Sequence, residues 1–401
     1  MLLSCQRDLI NKNERFSFWA EGSIFVRIIL KLSFLWVSCP VSFVNVSMNQ
    51  SSPEQRQAVS VNYEYSVNLP ELLAELDLSV LISTYQAGRV ASVGVHQGEL
   101  RVGFAHFDQA MGLTRTDTGI AVGAKEHIWL LPASRELAPQ IKPEGERDMV
   151  FLARSCHLTG PIMGHDLAFG QGRLWVVNTL FNCLATVEGD WSFVPHWKPP
   201  FIAQIAPGDR CHLNGLALGE DGVPAYVTAL GETDTENGWR EGKAQGGCLL
   251  EVKSGEVILR GLSMPHSPRL YQGLLYFLNS GRGTLNLCDP LTGQSEVIAE
   301  LPGFTRGLDC WGGHAFVGLS QIREAAVFGG LPLDDRRQNL RCGLAIVDLA
   351  ARQVVGTFWF NSGVEEVFAV SVLPGYLNPA LIGPDTELDD AQSVWLVPSI
   401  A

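Results

Sequence analysis

The chain has 401 residues, 46% of them hydrophobic and 18% charged, with 41 glycines and 21 prolines. That mixture can bury a large core, and it excludes a mainly disordered chain, a coiled coil and a collagen-like rod. The formal charge of −13 argues against a nucleic-acid partner, which would need a basic surface to neutralise phosphates.

Residues 1–47 differ in character from the rest of the chain. Arg7, Lys12, Arg15, Arg27 and Lys31 stand there against Asp8, Glu14 and Glu21. The apolar stretch 32–46 comes after Arg27 and Lys31 and falls short of the ~20 residues of a spanning helix. Three readings stay open for this N-terminal extension: a mis-set start or unstructured stretch ahead of Met48, an export signal, or an anchor. Residues 48–77 form a leader segment. It holds the one convincing helix, 70–76, with proline in its first turn.

Three strand-like runs come next, at 79–84, 90–95 and 100–104, without an obvious partner. After them a two-strand unit recurs. A short step, usually containing glycine, leads into an apolar strand, a turn, and a second strand of aromatic and β-branched residues. Copies begin at Met111-Gly112-Leu113, Gly164-His165-Asp166-Leu167, His212-Leu213-Asn214-Gly215, Pro265-His266-Ser267-Pro268, Thr305-Arg306-Gly307-Leu308 and Glu366-Val367-Phe368-Ala369. The last copy takes Ala380-Leu381-Ile382 as its second strand. A period of ~40 to 60 residues suits four-stranded blades with insertions. Turn dipeptides such as Glu188-Gly189, Ser254-Gly255 and Thr292-Gly293 divide the outer strands. Six copies predict an all-β fold, a six-bladed β-propeller over 78–385, closed by the N-terminal strands, which complete the last blade. A seventh blade and a pair of β-sandwiches are the alternatives. Residues 386–401 are a C-terminal tail.

In a propeller the starts of the innermost strands gather at one mouth of the central channel. Here those starts carry Met111, His165, Asp166, His212, Asn214, His266, Arg306, Asp309 and Glu366, so three of the nine histidines take equivalent places in consecutive copies. A small polar or sugar-like ligand in a binding pocket is the leading expectation, with Asn214, Arg306 and Asn279 among its contacts. Arg306 favours an anionic group. The alternative is a metal-dependent hydrolase. In it His165, His212 and His266 hold a divalent metal ion, and Glu366 or Asp166 is the catalytic base. A third reading spends the polar groups on neighbouring blades and uses the propeller rim for a protein partner.

Two insertions interrupt the strand rhythm. The first, 232–243, puts Trp239 and Arg240 in a glycine-flanked loop, an exposed pair suited to stacking on a ligand and covering it. The second, 321–341, carries Arg323, Arg336, Arg337 and Arg341. It either reaches over the same mouth or mediates self-association. Cys211 stands beside His212, but adjacent residues of a strand face opposite ways, which argues against a Cys–His nucleophile. The nine cysteines are dispersed, odd in number and without C-x-x-C spacing. They read as reduced core residues of a cytoplasmic protein, unless residues 1–47 act as a signal and export it. No membrane is expected for the propeller.

Three stretches carry a resemblance. They are Asn237-Gly238-Trp239-Arg240 with Gly246-Gly247, Ser320-Gln321-Ile322-Arg323-Glu324 with Phe328-Gly329-Gly330-Leu331-Pro332, and Gly363-Val364-Glu365-Glu366-Val367-Phe368. They resemble the mainly bacterial family known as domain of unknown function 4915, over roughly 69–384. The resemblance implies that these loops are the family's hallmark. More distantly, Leu213-Asn214-Gly215-Leu216-Ala217 followed by Asp221-Gly222 is similar to a strand start of the gluconolactonase and senescence-marker type of six-bladed propeller. There the Asn and acidic residues at the mouth hold a divalent cation for lactone hydrolysis, which would make Asn214 a ligand. This sequence has His266-Ser267 where that group has an Asp, and Met111 in place of an early acidic ligand.

Overall fold

The computed structural model describes residues 61–322, 329–389 and 391–397. The chain divides into two units, Met1–Gln57 and Ala58–Ala401, and all described residues belong to the second. The readings made for residues 1–47 and for Arg323 therefore lie outside the described residues. Among the described residues, no helix is long and apolar enough to cross a membrane.

Six sheets, antiparallel except for one parallel pair in the first, form the blades of a propeller. Each is built from residues that alternate between two faces, with turns that need a positive φ falling on glycines such as Gly172, Gly255, Gly273 and Gly293. The first blade runs outward through Leu113–Thr116, Gly119–Gly123 and His127–Ser134. The second holds Gly164–Gly170, Arg173–Asn178, Cys183–Thr186 and Val194–Trp197, and the third Leu213–Leu218, Pro224–Ala229, Gly247–Glu251 and Val257–Leu262. The fourth holds Pro265–Tyr271, Leu274–Asn279, Thr284–Asp289 and Gln294–Glu300. The fifth holds Phe304–Trp311, His314–Ser320, Cys342–Asp348 and Gln353–Ser362, with Asn62–Tyr65 added outside.

The sixth blade draws on both ends of the repeat region. Its innermost strand is Ala369–Pro374, and outward from it lie Leu78–Thr84, Arg89–His96 and Glu99–His106. Leu78–Thr84 is buried along its whole length, because strands cover both its edges and other layers cover both its faces. The helix Leu69–Glu75 caps this region, burying Leu69 and Leu73 against Val80, Ile346 and Phe358. The last copy departs from the sequence reading. Ala380–Ile382 runs parallel beside Val150–Leu152 at the outer side of the first blade, and Leu78–Thr84 takes the place expected for it. A three-residue apolar run has too little pattern to fix its partner.

The core lies between blades. Trp175, Val177 and Leu184 of the second blade pack against Leu213, Leu216 and Val227 of the third, and equivalent clusters recur around the ring. Among the described residues the cysteines are reduced, and all are buried except Cys156. Burial pushes the Cys183 and Cys248 thiols up to about 12, so both stay protonated as small apolar core groups.

Candidate functional site at the channel mouth

The innermost strands are irregular where they begin. Register shifts interrupt the pairing at Gly164/Leu167, Leu213/Gly215, His266/Arg269 and Thr305/Leu308, the same place in four consecutive blades. A bulge bends its strand and re-aims a side chain. Neighbouring strands also come very close there. A Cβ at Gly215 would lie 2.5 Å from Pro268 Cδ, and one at Gly307, where φ is +83°, would lie 2.7 Å from the Val370 nitrogen. Glycine is the residue that fits both places.

These bulged starts surround one cavity of about 250 Å³. All six blades contribute: Tyr85, Glu366 and Phe368 from the sixth, Met111 from the first, Met163 and His165 from the second. Asp209, His212, Trp239 and Arg240 come from the third, Met264 and His266 from the fourth, Phe304 and Arg306 from the fifth. The structure thus brings together His165, His212, His266, Arg306, Glu366, Trp239 and Arg240.

Each imidazole is tied back through Nδ1. For His165, Nδ1 lies 3.1 Å from the Met163 carbonyl oxygen and 2.8 Å from Thr179 Oγ1. For His266 the partners are the Met264 carbonyl at 2.9 Å and Ser280 Oγ at 3.0 Å. A carbonyl only accepts, so Nδ1 carries the proton in both rings. Burial, reinforced by nearby cationic groups, holds both histidines well below the ordinary histidine range. Both are therefore neutral, and Nε2 is left with a lone pair. His212 is anchored differently: its Nδ1 donates to the Asp209 carboxylate at 2.9 and 3.0 Å. The His165 and His212 rings meet edge to face, centroids 4.7 Å apart.

The opposite wall is charged and aromatic. Arg306 donates to Glu366 at 3.2 Å and lies over the Phe368 ring, 3.5 Å from its centroid. Burial pulls the guanidinium down to about 10, against Glu366, which supports its charge. Tyr85 stacks on the other aromatic partner of this wall, Phe368, at 5.6 Å. Burial raises the Tyr85 phenol, with Glu366 adding to the effect.

Trp239 is only 3% exposed, which corrects the expectation of an exposed pair. Its loop turns back on the mouth, where Nε1 donates to Asp209 Oδ2 at 3.1 Å and Arg240 lies over the indole at 4.6 Å. Trp239 packs with Met264, Phe304, Leu331 and Leu333, so the two insertions share one apolar cluster beside the pocket. Among the described residues, three arginines of the second insertion bond within the chain. Arg336 pairs with Glu300, Arg341 with Glu64, and Arg337 donates to the Ile322 carbonyl.

Three expected site residues stand elsewhere. Asp166 lies in the channel wall, accepting from the Leu167 and Leu216 amides and from both terminal nitrogens of Arg269. Asn214 donates to the Pro265 carbonyl and accepts from Thr228, joining the third blade to the fourth. Asn279 accepts from the Ser263 amide. Among the described residues, no group of three or more His, Cys, Asp or Glu side chains is placed to hold a metal ion. The pocket residues that sequence reasoning missed are Tyr85, Asp209, Phe304, Phe368, Met163 and Met264. A signal existed for the last: Met163-Gly164-His165 and Met264-Pro265-His266 share the Met-x-His spacing.

A larger cavity, about 500 Å³, opens between the first and second blades. Asp117, Arg173 and Glu188 stand in its lining, where His157 is bonded to the Trp191 carbonyl and Thr186 donates to Glu188. The mouth differs from it in gathering imidazole and charged side chains from five blades.

Among solved structures, the chain is similar to one in the crystal structure of a nidogen/laminin complex, at 9% identity, covering 74% of this chain and 99% of that one, with a TM-score of 0.45. It is also similar to a catalytically inactive virginiamycin B lyase from Staphylococcus aureus, crystallised with quinupristin. That match has 10% identity, 75% and 99% coverage, and a TM-score of 0.36. No curated protein matches the chain. Residues 67–382 match the family described as a domain of unknown function (DUF4915), and the chain belongs to that family.

Proposed function

We propose that this chain is a ligand-binding propeller whose mouth pocket takes a small polar or sugar-like molecule. One observation carries the reading: three imidazoles from consecutive blades, each tied back through Nδ1, edge a single pocket. Nε2 of His165 and His266 accepts N–H or O–H groups of the ligand. Arg306 and Glu366 supply a donor and an acceptor on the far wall, and Met111, Phe304 and Phe368 pack its apolar parts. The volume suits a metabolite of a few carbon atoms rather than a peptide. In the same reading, the sheet that joins both ends of the repeat region closes the ring and holds the six strand starts in place. The packing of Ala369–Pro374 against both Phe304–Trp311 and Leu113–Thr116 supports this.

The test is a thermal-shift screen of a small-metabolite library against the full chain. A ligand that stabilises the wild type should lose most of its effect with His165→Ala and His266→Ala. A ligand that stabilises both variants as well as the wild type contradicts the site.

A further inference from the structure

We propose that His212 is the catalytic proton acceptor of this pocket and that Asp209 is its positioning residue. The inference rests on the pocket being a ligand site and adds chemistry to it.

The three imidazoles are not equivalent. His165 and His266 each stand two residues after a methionine, and each gives its Nδ1 proton to that methionine's main-chain carbonyl. The third strand start departs from the pattern, with Asp209 three residues before His212 and its carboxylate in place of the carbonyl. A carbonyl fixes the tautomer and does no more. A carboxylate also stabilises the imidazolium that forms when Nε2 accepts a proton.

The surroundings hold this pair in one geometry. Trp239 Nε1 donates to the second oxygen of Asp209 at 3.1 Å, which orients the carboxylate. Asp209 and His212 both adopt left-handed backbone, at φ +44° and +49°. Met163 and Met264, ahead of the other two imidazoles, do the same at φ +54° and +47°, so this backbone belongs to the mouth as a whole. The rings of His165 and Trp239 flank His212, with centroids 4.7 and 4.5 Å away.

The lining also says which chemistry is absent. Among the described residues that line the pocket there is no serine, threonine, cysteine or lysine. Cys211 is adjacent in sequence, but it is fully buried and burial drives its thiol upward, away from thiolate. Acid–base transfer, rather than a covalent Ser or Cys intermediate, is what these side chains can perform. In the step, the His212 Nε2 lone pair takes a proton from an O–H, or from a C–H beside a carbonyl. The electron pair of that bond stays on the ligand, and the negative charge is met by Arg306 on the opposite wall. Returning the proton to the same or a neighbouring atom completes the cycle without a co-reactant.

The test uses diethyl pyrocarbonate on the full chain, read by peptide mass spectrometry. The reagent's carbonyl carbon bonds to an unprotonated imidazole nitrogen, and ethyl carbonate leaves. His212 should react in the wild type, and Asp209→Asn should slow it by roughly tenfold or more, within the ~10⁴-fold that losing such a carboxylate costs a catalytic histidine. An unchanged rate in Asp209→Asn overturns the proposal. If that variant does not fold, ¹⁵N NMR of the wild-type His212 ring decides. A proton on Nδ1 with free Nε2 supports the pair, and a proton on Nε2 overturns it. Ligand stabilisation that survives such a failure leaves the pocket standing without its chemistry. A reactive His212 in a protein whose ligands ignore His165 and His266 faults the pocket instead.

Discussion

His165 and Asp166 are neighbours on one strand and end in opposite surroundings. Asp166 is turned into the channel wall, where two amides and a guanidinium from three blades use all its accepting capacity. His165 is turned into the mouth, where only one edge of its ring is bonded to protein. The same division runs round the ring. Asp309 and Asn214 take or give bonds to the next blade, while His266 and Arg306 line the pocket. Polar groups in the wall hold blades together, and polar groups at the mouth line a cavity. Function is to be sought where the ring stops spending its polar groups on itself.

Breaking the wall should cost the most. Asp166→Ala leaves the partly buried Arg269 guanidinium without its carboxylate and two main-chain amides without their acceptor, and about 3 kcal/mol of stability should go with it. Urea unfolding checks this. An unfolding midpoint close to the wild type would mean that Asp166 and His165 do not divide the work as described.

Acid should separate the regions next. His165 and His266 are held below the ordinary value of 6.5 in the fold and relax to it on unfolding. Below pH 6.5 the unfolded chain therefore binds more protons than the native one, and stability falls as pH falls. Above 6.5 these two histidines add no slope. Unfolding should take up about one extra proton per histidine in the sloping range. Urea midpoints measured between pH 5 and 8 test this, and the double variant His165→Gln, His266→Gln should flatten the curve.

The smallest effect belongs to the support of the mouth. Trp239→Phe keeps most of the apolar packing and removes one hydrogen bond to the Asp209 carboxylate, a loss of about 1.5–3 kcal/mol. The same urea assay measures it. A much larger loss would place Trp239 with the wall.

The blades were legible because one unit recurs, a step, an apolar strand, a turn and a second apolar strand such as Leu274–Asn279, which buries five of its six residues. The meeting of three histidines was legible from their equivalent places in successive copies. Their division of labour with Asp166 was not. A bulge sits between these residues and the regular strand, and the two-residue period no longer says which face each side chain takes. Asp209 was hidden for a related reason. It lies in a loop ahead of the strand, and its bond to His212 depends on two left-handed residues that no periodicity announces. The burial of Trp239 was masked by its polar sequence neighbours, because the apolar residues that receive it come from the fourth and fifth blades.

The central claim is that three imidazoles present a free Nε2 edge to one pocket. Long-range ¹H–¹⁵N NMR of the histidine rings, recorded on the full chain near pH 7, tests it most directly. The account predicts that His165 and His266 are neutral with the proton on Nδ1, that His212 donates from Nδ1, and that all three shift together when a pocket ligand is added. A proton on Nε2 of His165 or His266, or ligand shifts that leave the three rings untouched, would contradict it.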